Sequence, residues 1–383
     1  MTGRERIALT GAEIFDGERI HRGRALLLDG DHVAAIADEV PGGTETRRLD
    51  GGILSPGFVD LQVNGGGGVM FNDAPTVETL GVMAEAHAGL GATSILPTLI
   101  TDRPDITRAA IAAVRDARAE GVAGIAGLHL EGPHLSLARK GAHDPALIRP
   151  MQADDLDLLL AAARQVPVLK VTIAPESVTP AQKRAMAEAG ILLSLGHSDA
   201  GFAACADAAG HGVRCVTHLF NAMSQLGSRE PGLVGAALEC GALSAGLIAD
   251  MIHVHPRTIA AALRAKRGPG RIFLVSDAMA TAGSEIAAFT LNGREIRRAD
   301  GRLTLADGTL AGADLDLARA LRNVMAATDA DLPRALAMAT AIPAALIGCD
   351  DRIGRLVPGA RADILHLSDD LRLRAVWRGG APL

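Results

Sequence analysis

Between residues 56 and about 280 the chain switches repeatedly between two hydrophobic periodicities. Short runs that are apolar at alternate positions, or almost throughout, are followed by longer stretches whose apolar residues recur every three or four positions. Eight of the short runs read as strands: 58–63, 93–98, 125–130, 168–173, 191–196, 214–218, 245–249 and 272–276. Helical patterns over 77–90, 106–120, 153–164, 180–189 and 256–266 lie between most of them. Parallel strands need crossover connections of one hand, so eight repeated strand–helix units favour a closed (β/α)8 barrel over an open doubly wound sheet. Helical stretches 315–327 and 332–347 complete the expected outer ring.

The two ends carry a different pattern. Residues 7–40 are short β-like runs punctuated by Asp16-Gly17 and Asp29-Gly30, both strong turn signals, and the C-terminal stretch GRLVPGARADILHLSDDLRLRAVWRGG reads alike. The division expected is a small β domain from residues 1–55 together with 350–383, and a barrel from 56–349. A hairpin insert near 285–312 is marked by Asn292-Gly293, Asp300-Gly301 and Asp307-Gly308. No internal repeat or low-complexity segment stands out.

Composition narrows the function classes. A chain of 383 residues with 48% hydrophobic and 21% charged residues is an ordinary soluble globular protein, long enough for a large domain and a small companion. A net charge of −6 offers no general attraction to nucleic acid or to anionic membranes, so neither is expected as a partner. Cys205, Cys215, Cys240 and Cys349 form no C-x-x-C pair, and the N-terminus MTGRERIALTGAE has no apolar leader-like region. A reducing cytoplasm is the expected location.

In a barrel of this kind the reactive groups belong at the C-terminal ends of the strands. Those positions hold Glu131 in HLEGPH, His197 in GHSDA, His218 in THLFNAM and Asp277 in VSDAM. One carboxylate and two imidazoles from separate strands suit a catalytic divalent ion, because three protein ligands leave a position for water. They stand too far apart in sequence for a local zinc-finger clip. Asp277 reads either as a helix cap or turn residue, or as an acid/base that takes a proton from water and returns it to a leaving amine. On the first strand, DLQVNGGGG puts Asp60, Gln62 and Asn64 on one face, and neutral amides are poor primary zinc ligands.

These residues, with SPGFVDLQVNGGGGVMFND, KGAHDP, REPGLVG, IADMIHVHP, VSDAMATAG and GRLVPGARADI, resemble the N-acetylglucosamine-6-phosphate deacetylases of the amidohydrolase superfamily over nearly the whole chain. The resemblance implies a metal-dependent barrel with a small β-sandwich built from both chain ends. It implies that Glu131, His197 and His218 hold one divalent ion per subunit, zinc foremost, with iron, cobalt or manganese as alternatives. Asp277 would be the acid/base, and His143 would contact and polarise the acetyl carbonyl. Ala142, His143, Asn221, Ala222, His253, Leu310, Ala311 and Gly312 would line the substrate pocket. Arg229 would reach the phosphate in the neighbouring subunit of a homodimer. Many amidohydrolases carry His-x-His where this chain has Gln62 and Asn64, so those amides stand either beside a vacant second metal position or as hydrogen-bonding support.

The implied reaction is deacetylation of N-acetyl-D-glucosamine 6-phosphate to D-glucosamine 6-phosphate and acetate. The alternatives are N-acetylgalactosamine 6-phosphate, another amide, or a barrel without catalysis. The chain departs from the resemblance at His134, where an aromatic residue is common, at Asp199, where many members have asparagine, and in having no tyrosine.

Overall fold

A computed structural model describes residues 6–383. Residues 1–5 of the expected small domain lie outside the described residues. Eight strands form one parallel sheet in chain order: β1 Phe58–Val63, β2 Ala92–Ile100, β3 Leu128–Glu131, β4 Leu169–Ile173, β5 Leu192–Leu195, β6 Cys215–Val216, β7 Ser244–Leu247 and β8 Ile272–Leu274. Past the end of β8, the Asp277 N–H donates to Gln62 O at 3.1 Å and Ala278 O accepts from Asn64 N at 2.8 Å. These bonds join the last unit to the first and close the ring. β1 and β2 are buried at every position, as expected of strands covered on both faces.

The helices α1 Val77–Gly89, α2 Pro104–Ala119, α3 Ala153–Ala162, α4 Pro180–Glu188, α5 Phe202–Gly210, α6 Gly232–Glu239, α7 Pro256–Ala265 and α8 Leu317–Ala327 follow in sequence. In α8 the apolar positions Leu317, Ala318, Ala320, Leu321 and Val324 form the buried stripe, and the Asp316 side chain caps the Arg319 N–H. The helical stretch expected over 332–347 is two helices, Leu332–Ala339 and Ala341–Leu346, because the backbone of Thr340 leaves helical geometry at φ −131°, ψ −89°.

Regular pairing stops earlier than the apolar runs suggested: β6 keeps two residues and β8 three. The reason lies at the strand ends, where His197, His218 and Asp277 have φ of 46°, 29° and 51°. A left-handed residue cannot continue a ladder, so each turns out of its strand just as it reaches the barrel mouth.

Both chain ends supply two further sheets. One has four strands in the order His32–Ala37, Ala25–Asp29, Arg6–Thr10, Glu45–Arg48, and the other has six, with Ile53–Pro56 paired to Ile364–Leu367 and to Glu13–Phe15. Leu9, Ile14, Leu26, Leu28, Leu54, Ile364 and Trp377 share one core between them. The six-stranded sheet therefore leads directly into β1. Beyond β8, Ala288–Leu291, Arg294–Ala299 and Arg302–Thr304 form a three-stranded antiparallel sheet. Its turns use Asn292 and Asp300 at positive φ, followed by glycine, as two-residue hairpins demand. Leu291, Ile296 and Leu303 of this insert pack with Met70, Ile100, Met279 and Ala311 at the strand ends. Arg298 ties the insert to Asp314 and to Ser284 O, both at 2.9 Å.

Candidate active site and metal centre

The barrel mouth opens into a cavity of about 410 Å³ lined by Asn64, Glu131, Ala142, His143, His197, His218, Asn221, Ala222, His253, Asp277, Leu310, Ala311 and Gly312, among others. A larger open depression of about 670 Å³ lies beside the small sheets, but its arginines are already paired, Arg22 with Glu13 and Arg24 with Asp38. No comparable set of reactive side chains converges there.

At the cavity floor, His197 Nε2 and His218 Nε2 lie 3.1 and 3.0 Å from Glu131 Oε1, and 3.0 Å from each other. All three side chains are buried. His197 Nδ1 lies 2.8 Å from Arg139 O, which can only accept, so Nδ1 carries the proton and Nε2 presents its lone pair to the floor. Three lone-pair donors aimed at one point repel unless an electropositive guest stands between them. A carboxylate and two imidazoles, one of them oriented by a backbone carbonyl, are a donor set that fits a divalent ion. Glu131, His143 and His197 also offer donor atoms within 4.8 Å of one another, so His143 borders the same point. The shorter contacts of His218 make it the better third member.

Electrostatics around this floor are strongly shaped by burial. Burial would raise the Glu131 carboxyl, but its close contacts with His197 and His218 hold it well below the ordinary range. Asp277 is pushed upward by burial and by the Glu131 charge. Burial and the neighbouring His197 keep His143 well below its ordinary value, hence neutral, with Nδ1 2.7 Å from Thr101 Oγ1. Asp277 Oδ1 accepts from Asn64 Nδ2 at 2.7 Å and from Gln62 Nε2 at 3.1 Å, and the same Gln62 nitrogen reaches Glu131 Oε2 at 3.2 Å. Gln62 Oε1 and Asn64 Oδ1 are buried with no protein partner.

At another wall His253 is held by Asp250, whose Oδ2 lies 2.6 Å from His253 Nδ1. Burial would raise the Asp250 carboxyl, yet the bond to His253 leads the contacts that keep it lowered. Phe220, Ala222 and Met251 join His197, His218 and Asp277 at positive φ, so six of the nine non-glycine residues of this kind among the described residues belong to the loops of this site. Each costs on the order of 1–3 kcal/mol, and such strain gathers where side chains must be aimed rather than packed.

The structure keeps Gln62, Arg229, His134 and Asp199 out of the cavity lining. Gln62 lies behind the cavity wall, wholly buried. Arg229 is exposed and does not line the cavity of its own chain. His134 is buried away from the cavity, with Nδ1 3.2 Å from Arg149 O. Asp199 instead pairs at 2.8 Å with Arg139, a cavity-lining residue that the sequence reading had passed over. Thr101, Asp250 and Arg294, which donates to Ala142 O, were also missed. Only Asp250 left a sequence signal, three residues before His253 in DMIH, where a carboxylate can cap the turn.

Residues 53–382 match the Amidohydrolase family. A protein of Shewanella sp. (strain ANA-3) named N-acetylgalactosamine-6-phosphate deacetylase is 44% identical over 336 residues, which are 87% of this chain and 84% of the relative. The crystal structure of N-acetylglucosamine-6-phosphate deacetylase from Pasteurella multocida superposes with a TM-score of 0.94 at 33% identity, covering 99% of both chains. A mutant of the Mycobacterium smegmatis enzyme, in complex with N-acetyl-D-glucosamine-6-phosphate, gives 0.90 at 30% identity, again covering 99% of both.

Proposed function

We propose, from the premise that the chain belongs to the amidohydrolase family and stands among its N-acetylhexosamine-6-phosphate deacetylases, that it hydrolyses N-acetyl-D-glucosamine 6-phosphate to D-glucosamine 6-phosphate and acetate. The observation that carries this is the meeting of a carboxylate and two imidazoles within 3.1 Å of one another, beside a second buried carboxylate raised toward basicity.

In this reading Glu131, His197 and His218 hold one divalent ion, zinc by the preference of imidazole and carboxylate, with iron, cobalt or manganese as alternatives. Bound there, such an ion would act as a Lewis acid on water and on the acetyl carbonyl. Asp277 takes the proton from the attacking water as its oxygen bonds the acetyl carbon. His143 donates to the oxyanion that develops on the carbonyl oxygen. Asp277 then returns the proton to nitrogen as the carbon–nitrogen bond breaks, releasing the amine and acetate. One group serves both transfers because the proton taken from water is the one returned to nitrogen, which leaves Asp277 ionised again.

The phosphate is met by His253, held in place by Asp250, and by backbone N–H groups at Asn221 and Ala222. Leu310, Ala311, Gly312 and Ala142 form the sugar walls. Arg229, exposed and outside its own cavity, is read as completing the site of a neighbouring subunit in a homodimer. Four free cysteines suit a reducing cytoplasm. A second reading, the galactosamine epimer, is favoured by the 44% identity to the Shewanella enzyme.

Acetate release across both N-acetylhexosamines, each with and without a 6-phosphate and with defined metals, tests both readings. Preference of kcat/KM for one phosphorylated epimer assigns the substrate. Equal turnover of phosphorylated and plain sugars would sink the phosphate assignment.

A further inference from the structure

We infer that Gln62 and Asn64 are positioning residues that fix the plane of the Asp277 carboxylate and so aim its remaining oxygen at the proton to be moved, an inference that rests on reading Asp277 as the acid/base. Both amides donate to the same atom, Asp277 Oδ1, at 3.1 and 2.7 Å. Oδ2 accepts no hydrogen bond among the described residues, so it is the oxygen left for water and for the leaving nitrogen.

The arrangement opposes a specific failure. The last torsion of an aspartate is broad, so a carboxylate with nothing on either oxygen swings through a wide range of planes and does not hold a lone pair on the reacting proton. Two donors converging on Oδ1 remove that freedom. Barrel closure supplies the frame: the Asp277 N–H donates to Gln62 O at 3.1 Å, so the carboxylate and the amide strand are registered by backbone before any side chain acts. Gln62 Nε2 also reaches Glu131 Oε2 at 3.2 Å, placing one donor between two carboxylates that otherwise repel.

The amide orientation follows from the acceptors, since a carboxylate oxygen tolerates N–H and rejects C=O. It leaves Gln62 Oε1 and Asn64 Oδ1 buried without protein partners. Apolar side chains would avoid that cost, and the donors facing Asp277 are what offsets it.

The test compares Asn64→Ala, Asn64→Ser and Gln62→Leu with the unaltered enzyme, alone and in an Asp277→Asn background. Readouts are kcat, KM, bound divalent ion by elemental analysis, and calorimetric affinity for glucosamine 6-phosphate. Asn64→Ala is expected to lower kcat by about 10–100-fold, the usual range for supporting partners of a reactive site. KM, ion content and product affinity should hold, and Asn64→Ser, which keeps a donor, should recover part of the rate. In the Asp277→Asn background the same change should cost the residual turnover nothing further. Additive losses across that cycle, or kcat within about twofold of the unaltered enzyme while Asp277→Asn is inactive, would overturn the positioning role and leave the acid/base reading standing. Substantial turnover by Asp277→Asn alone would instead remove the acid/base reading. If Asn64→Ala does not fold, Asn64→Ser and Gln62→Leu decide by the same readouts.

Discussion

Asp60 provides a quantitative test of how the barrel interior treats charge. It sits on β1, two residues before Gln62, and is wholly buried. Its carboxylate accepts from Ser276 N at 3.2 Å on both oxygens and from Gln62 N at 3.2 Å. Burial dominates those contacts and raises its pKa from the ordinary 3.8 to about 7. The interior disfavours the opposite sign as well: Lys170, with Nζ 3.3 Å from Leu61 O, is lowered by burial. Between pH 3.8 and 7 the folded protein thus keeps a proton on Asp60 that the unfolded chain has released. More protons on the folded state means that stability falls as pH rises through this window, the reverse of a salt-bridged aspartate. At about 1.4 kcal/mol per pH unit, the full span from 3.8 to about 7 amounts to about 4 kcal/mol.

Asp60→Asn removes the titration and keeps an oxygen for the Ser276 and Gln62 N–H groups. Its new NH2 needs an acceptor, at a cost of about 1–3 kcal/mol independent of pH. The variant is therefore expected to be less stable than the parent near pH 4 and more stable at pH 8. The difference should drift by about 4 kcal/mol between those limits. Urea unfolding followed by far-UV circular dichroism, with both proteins stripped of metal, measures it, and contributions from titrating groups that do not interact with Asp60 cancel in the difference. A gap that stays constant from pH 4 to 8 would refute the argument.

Two further outcomes follow from the site. Arg229→Ala should raise KM for the phosphorylated sugar by about ten- to hundredfold, the worth of a hydrogen bond to a charged group, and leave the unphosphorylated sugar unaffected. Equal loss on both substrates in parallel acetate-release assays would contradict the phosphate role. Gly141 has φ +56°, and an added Cβ would lie 3.3 Å from His197 Cε1. Gly141→Ala should thus strain the loop by about 1–2 kcal/mol and press on the His197 ring. Divalent-ion affinity, read by competition with a chelator, is expected to fall about tenfold or more, and unchanged affinity would exclude that coupling.

Most of the fold is legible in the sequence because it rests on local regularities. Strand runs buried on both faces are apolar at alternate positions or almost throughout, and helices with one buried stripe show it, so the repeated βα order can be read residue by residue. Helix α6 escaped that reading for the opposite reason: Gly232–Leu238 are all buried, so no polar face marks the period. The expected long helix over 332–347 failed at Thr340, whose backbone departure leaves no trace in the hydrophobic pattern.

Glu131, His197, His218 and Asp277 could be chosen from sequence because a barrel delivers its strand ends to one face, whatever lies between them. How they meet is a property of the closed ring alone. Left-handed turns at His197, His218 and Asp277 lift these side chains out of the strands, and no residue type in the sequence announces them. Asn64 and Asp277 touch across 213 residues because β1 and the segment after β8 are the two edges that closure brings together. The sequence alone determined which chemistry is present. The tertiary structure decided how the Asp277 carboxylate is oriented, that Arg139 O orients His197, and that Arg229 stands outside its own cavity, since each depends on contacts between segments that no local pattern relates.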